Sequence, residues 1–108
     1  MKVYNKLVRD KIPAIIEADG KTCEVEIAPK EKMTRLIEDK LVEEVNEYLE
    51  DKNLEELADV MEVLFGIACN LRYTEEELVG KREEKLGERG RFKAGIVLKG
   101  LNEFSSVQ

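Results

Sequence analysis

The chain has 108 residues, 43% hydrophobic and 39% charged, with 24 acids against 18 bases and no histidine. Such a length fits a single domain, here 1–108, whose modest core self-association would supplement. The net charge of −6 argues against non-specific binding to nucleic acid or anionic membrane, which needs a basic surface. It still permits a phosphorylated substrate, because a metal ion can reverse the sign of a local site.

Residues 1–28 read as a small extended arm: a basic start, then a short helix after Asp10 carrying Ile12, Ile15 and Ile16, then a turn at Asp19-Gly20. Thr22 to Ala28 is the best strand candidate, since Val25 and Ile27 alternate with acids. Pro29 suits the start of a helix. From Lys30 to Asp51, Met33, Ile37, Leu41, Val45, Tyr48 and Leu49 recur at helical spacing as one apolar stripe. Asp51-Lys52-Asn53 breaks the pattern, and Asn53 with Glu56 predicts an N-cap and its reciprocal partner. A second helix follows from Leu54 to Leu71, close enough to form an antiparallel hairpin with the first.

That second helix has two apolar faces. Leu54, Leu57, Met61, Leu64, Phe65 and Ala68 make one; Val60, Val63 and Ile67 make the other; Glu55, Glu62 and Gly66 form a narrow strip for water. A helix so apolar needs cover on two sides, which predicts a partner chain; Val63→Lys would disrupt assembly if the second face is the interface. Thr74 with Glu77 opens a third helix to about Gly87. The tail, with Ile96-Val97-Leu98, is expected as a short strand or extended segment. The class predicted is all-α, a helical hairpin or bundle completed by oligomerisation.

Cys23 and Cys69 lack a CxxC zinc pattern and read as reduced thiols, Cys69 as a small core residue. No apolar signal core and no run of roughly 20 apolar residues is present, so a cytoplasmic protein without a membrane partner is expected.

The chemistry concentrates in acids. Glu43-Glu44-x-x-Glu47 lies on the first long helix and Glu56-x-x-Asp59 on the second. Residues three apart share a helix face, so Glu44 pairs with Glu47 and Glu56 with Asp59, and the tight turn lets the pairs converge. Glu56 and Asp59 also fall on the side of Val60 and Val63. Four carboxylates beside apolar surface repel one another unless cations neutralise them. Magnesium suits such oxygen ligands and shares its shell with phosphates; the absence of histidine disfavours zinc and di-iron sites. Acids at this spacing also decorate ordinary solvated helix faces, and the pattern alone leaves both meanings open.

The basic arm Asn5-Lys6-Leu7-Val8-Arg9-Asp10-Lys11 suits a polyphosphate, since Arg forks to two oxygens and Lys offers a point charge. Surface pairing with the acidic helices is the plainer alternative. A second basic cluster, Lys81, Arg82, Lys85, Arg89 and Arg91, lies where the third helix ends, where cations also complement the helix dipole. Tyr4 is an aromatic that can stack on a base or simply pack.

Three segments, Asn5-Lys-Leu-Val-Arg-Asp-Lys-Ile-Pro13, Lys40-Leu-Val-Glu-Glu-Val-Asn-Glu47 and Glu56-Leu-Ala-Asp59-Val, resemble the MazG-like, phosphoribosyl-ATP pyrophosphohydrolase-like superfamily, especially its small house-cleaning branch. Lys85-x-x-Glu-Arg-Gly-x-Phe92 looks like that branch's C-terminal signature. Arg91 stands where a second glycine is frequent, and the stretch from Glu47 to Glu56 is shorter than in many relatives.

The resemblance implies a Mg²⁺-dependent (or Mn²⁺-dependent) pyrophosphohydrolase, cleaving a canonical or noncanonical nucleoside triphosphate to a monophosphate and pyrophosphate. It implies a homodimer or homotetramer, with Glu44, Glu47, Glu56 and Asp59 as metal ligands. Asn5, Lys6, Arg9, Lys11, Lys85 and Arg89 become substrate-binding residues. Glu44 and Glu47 become the catalytic carboxylates, Glu47 being the choice for general base behind a metal-activated water that attacks the α-phosphorus. Two rival expectations are a phosphoribosyl-ATP pyrophosphohydrolase of histidine biosynthesis and a non-catalytic acidic helical oligomerisation module.

Overall fold

Apolar residues at helical spacing become helix over most of the chain. The computed structural model describes residues 2–102; Met1 and 103–108, the two ends of the expected domain, lie outside the described residues. Four helices follow in order: α1 (Ile12–Ala18), α2 (Lys30–Asp51), α3 (Leu54–Asn70) and α4 (Glu75–Arg89). Only α2 with α3 and α3 with α4 touch as helix pairs among the described residues.

The α2–α3 hairpin is the centre of the molecule, and local chemistry at Lys52-Asn53 makes it. Lys52 turns left-handed (φ 49°) and its N–H closes on the Tyr48 carbonyl at 2.7 Å, ending α2. Asn53 is extended, and its side-chain oxygen accepts the Glu56 N–H at 2.9 Å, starting α3. At the open end of the hairpin, Asn70 Nδ2 donates to Thr34 Oγ1 at 2.9 Å. Midway the helices approach so closely that a Cβ on Gly66 would sit 3.1 Å from Ile37 Cδ1. The expected water strip is therefore corrected at Gly66, which faces α2.

The two apolar faces of α3 are covered unequally. Val63 is buried and Val60 and Ile67 half-buried, so this is the face that packs on α2 within one chain. The other face is split: Leu54, Leu57, Met61 and Leu64 are exposed, whereas Phe65 is half-buried and Ala68 buried. Along α2, Ile37 is buried, while Leu49, at the end of the expected stripe, is exposed together with Val42. The periodicity of two antiparallel helices puts Val42, Leu49, Leu57, Met61 and Leu64 on one flank of the hairpin. Cys69, expected in the core, is exposed. Buried apolar residues reduce to Ile37, Val63 and Ala68 among those described.

No strand forms among the described residues. The expected strand at Thr22–Ala28 does not form; the segment has no regular secondary structure, and Val25 and Ile27 are exposed. Alternation of apolar and polar residues fits a sheet, but a strand also needs a neighbour for its N–H and C=O groups, and none is described here. Ile96-Val97-Leu98 is likewise exposed chain without strand pairing.

Thr74 and Glu77 form a complete capping box, each side chain bonding the other's N–H at 3.0 Å, and α4 starts there. Gly90 ends it at φ 82°, ψ −165°, a region that suits glycine. Within α4 only Leu86 is even half-buried. The outcome is an elongated molecule, 64 × 31 × 23 Å, with a radius of gyration of 19.0 Å. A self-contained domain of about 100 residues would have about 13 Å.

Candidate metal centre

The turn at Lys52-Asn53 sets the end of α2 beside the start of α3, and the acids meet there. Glu44 of α2 and Glu56 and Asp59 of α3 each offer a carboxylate oxygen, all within 4.8 Å of one another. Glu44 is buried, with 7% of its surface exposed, and the other two are half-buried. One oxygen of Glu44 and one of Glu56 (Oε2 in each) is sealed from solvent and has no hydrogen-bond partner. A buried, unsatisfied carboxylate oxygen is costly, so it marks either strain or a place for a cation.

Glu56 shows how local and tertiary demands divide. Asn53 and Glu56 have the spacing of a reciprocal cap, but only Asn53 bonds; the Glu56 carboxylate turns to Glu44 and Asp59 instead. At Thr74 and Glu77 the same pattern closes both ways.

Glu47, expected as the fourth ligand, stays outside the three-carboxylate group and is exposed. It is close enough to act on two members. Burial pushes the Glu44 carboxyl up, the Lys40 hydrogen bond and charge oppose this, and the neighbouring Glu47 adds to the rise; the balance is a pKa raised from the usual value. Glu56 is also raised, by desolvation first and then by the charges of Asp59, Asp51 and Glu44, the neighbouring Glu47 partly offsetting them.

Lys40 was not singled out as a site residue, yet its half-buried ammonium bridges Glu43 Oε2 at 3.0 Å and Glu44 Oε1 at 3.2 Å. Its spacing of three and four from those acids was the available signal. Burial works to lower the Lys40 pKa, but the hydrogen bonds and charges of Glu43 and Glu44 outweigh it and leave it raised. For Glu43, burial works upward and Lys40 and Lys6 together pull it below the usual range.

Of the expected substrate-binding residues, the arm places two against the acids. Lys6 Nζ lies 3.1 Å from Glu43 Oε2, and Arg9 Nη2 lies 2.7 Å from Asp59 Oδ1. Surface pairing of arm and helices, the plainer alternative, thus does occur, and one of its partners is a member of the acid group. Asn5 starts this stretch in the left-handed region (φ 47°), which Asn tolerates better than most residues. With Lys6 and Leu7 it lines a cavity of about 140 Å³ against Leu36 and Lys40 of α2. Lys11 is exposed at the start of α1. Tyr4 is exposed, with the Lys2 and Lys6 ammonium groups 5.3 and 5.4 Å from its ring centre. Lys85 and Arg89 are exposed on α4 and form no ion pair with the acid group among the described residues.

The donor set is oxygen only, and both cysteines are free thiols. Hard divalent cations fit it; zinc and copper, which favour nitrogen and sulfur, fit it poorly. Among the described residues no helix is long and apolar enough to cross a membrane. No family model, no curated relative and no solved structure matches the chain.

Proposed function

We propose that the protein is a Mg²⁺-dependent nucleotide pyrophosphohydrolase, converting a nucleoside triphosphate, canonical or modified, to a monophosphate and pyrophosphate. The observation that carries this reading is the convergence of Glu44, Glu56 and Asp59 with two sealed, unpartnered oxygens. The arm and helix motifs that resemble the MazG-like superfamily add to it, because the acids and the arm that meet in space are the ones those motifs contain.

Glu44, Glu56 and Asp59 hold the cation. Bound there, magnesium would neutralise charge on the phosphates and lower the pKa of a water. Glu47, exposed beside Glu44 and Glu56, is placed to take a proton from the attacking water as general base. Arg9 and Lys6 bind phosphate oxygens, and Lys40 keeps Glu43 and Glu44 oriented.

The working unit in this reading is a homodimer or homotetramer. Support comes from the exposed flank with Leu57, Met61 and Leu64, from the thin core and from the elongated shape. A partner covering that flank would supply the burial the single chain lacks.

The test is a panel of nucleotides, canonical, modified and phosphoribosyl-ATP, assayed with Mg²⁺ for pyrophosphate and inorganic phosphate separately. Pyrophosphate with a monophosphate is expected. Inorganic phosphate with a diphosphate would contradict the bond assigned. Turnover of phosphoribosyl-ATP alone would move the protein to biosynthesis. No turnover of anything would leave the oligomerisation module as the better account.

A further inference from the structure

We infer that the N-terminal arm is a strap that closes the acid group while it is free of metal, and that Arg9 exchanges Asp59 for substrate phosphate when a divalent cation binds. The inference rests on the proposed metal site and adds to it an order of events, cation first and nucleotide second.

The geometry begins with two clasps on different helices. Lys6 is held by Glu43 of α2 at 3.1 Å, and Arg9 by Asp59 of α3 at 2.7 Å. The arm therefore spans the mouth where the hairpin's acids converge, with the half-buried Leu7 between the clasps. The clasps are not equivalent. Glu43 is outside the three-carboxylate group and is also bonded by Lys40, so a cation in the group leaves the Lys6 clasp in place. Asp59 is inside the group, and Arg9 lies on one of its two oxygens.

A divalent ion drawing on Asp59 competes with Arg9 for that carboxylate and repels the guanidinium. The Arg9–Asp59 pair has both side chains partly exposed, 53% and 39%, so solvent screens it and it yields readily. Glu44 and Glu56 offer the ion sealed oxygens with no other partner, which Arg9 does not reach among the described contacts. Once released, Arg9 remains tethered by Lys6 a short stretch of chain away. A planar fork with five donors, freed beside a bound cation, suits two oxygens of a phosphate group. The arm thus neutralises part of the acid group when no metal is present, and reports metal binding by making a phosphate ligand available.

The test uses the full chain and two metals without nucleotide. In calorimetric titrations with Mn²⁺ alone, Arg9→Gln should bind roughly two- to fivefold more tightly than wild type, the range that loss of a screened competing pair allows. Lys2→Gln removes the same charge from the arm without touching an acid, and should change Mn²⁺ affinity less. In wild-type protein, the Arg9 side-chain Nε–H signal in nitrogen-15 spectra should shift with Mg²⁺, at the midpoint at which the site fills. Wild type that binds Mn²⁺ while Arg9→Gln binds equally or more weakly overturns the strap and leaves the metal site standing. An Arg9 signal that Mg²⁺ does not move has the same consequence. Wild type that binds neither ion overturns both.

Discussion

Glu44 and Glu56, one from each helix of the hairpin, bring carboxylate oxygens within 4.8 Å of each other, and each keeps an oxygen sealed from solvent without a hydrogen-bond partner. Both carboxyls are raised above the usual value, so the folded chain holds their protons more tightly than the unfolded chain does. Metal-free protein should therefore gain stability from these two groups as pH falls through their raised folded values toward the unfolded ones. Glu43 acts oppositely. Its lowered carboxyl contributes stability above the unfolded value that is lost as pH falls through the folded one, when the Lys40 and Lys6 bonds break. Urea denaturation across pH, without metal, should show a maximum on the acid side of neutrality. Stability that falls steadily from pH 7 downward would count against strained acids.

The unequal cover of the two α3 faces decides which substitution breaks an assembly. Val63 is buried against α2 within the chain, so Val63→Lys should unfold the hairpin, at about 3 kcal/mol or more for an unpaired buried charge. Met61 lies on the open flank with 54% of its surface exposed, so Met61→Lys should keep the helical circular dichroism and shift light scattering from oligomer to monomer. A wild-type monomer at micromolar concentration would contradict the oligomeric unit.

Ile37 and Gly66 set the distance between α2 and α3. Replacing Gly66 by Leu should cost about 1–3 kcal/mol through overpacking, despite leucine's better helix propensity. Ile37→Ala should cost about 2–5 kcal/mol and loosen the acid group with it. Thermal melts of both variants check this; a melting temperature unchanged by Gly66→Leu would mean that the helices are not held at this spacing.

Much of this was legible in the chain. The ends of α2 at Lys30 and Asp51 coincide with Pro29 and the Lys52-Asn53 break, because caps and turns are written in single residues. The convergence of Glu44, Glu56 and Asp59 also followed from helical spacing across a tight turn. What did not follow depends on neighbours. The apolar face of α3 that meets α2 could not be told from the other, since both are apolar and only the crossing geometry chooses. The strand at Thr22–Ala28 failed for want of a pairing edge. Glu47 shares a helix face with Glu44 and lies near Glu44 and Glu56, yet it is exposed and outside the group of three. Nothing in the sequence sets Lys40 apart from Arg35 on the same helix, whose spacing to acids reads as ordinary surface pairing.

The most direct measurement is the melting temperature against Mg²⁺, with sodium chloride at matched ionic strength as control. A ligand that binds only the folded state stabilises it by mass action, about 2.7 kcal/mol at 100 times the dissociation constant, and the rise saturates. Glu56→Gln should abolish most of that rise while leaving the metal-free protein as stable as wild type or more so, because it relieves the repulsion from Asp59, Asp51 and Glu44. Glu55→Gln, one residue away and exposed, should do neither. If sodium chloride reproduces the whole effect of magnesium, or Glu55→Gln removes as much of it as Glu56→Gln, the acids are a solvated helix face and the proposed metal centre is wrong.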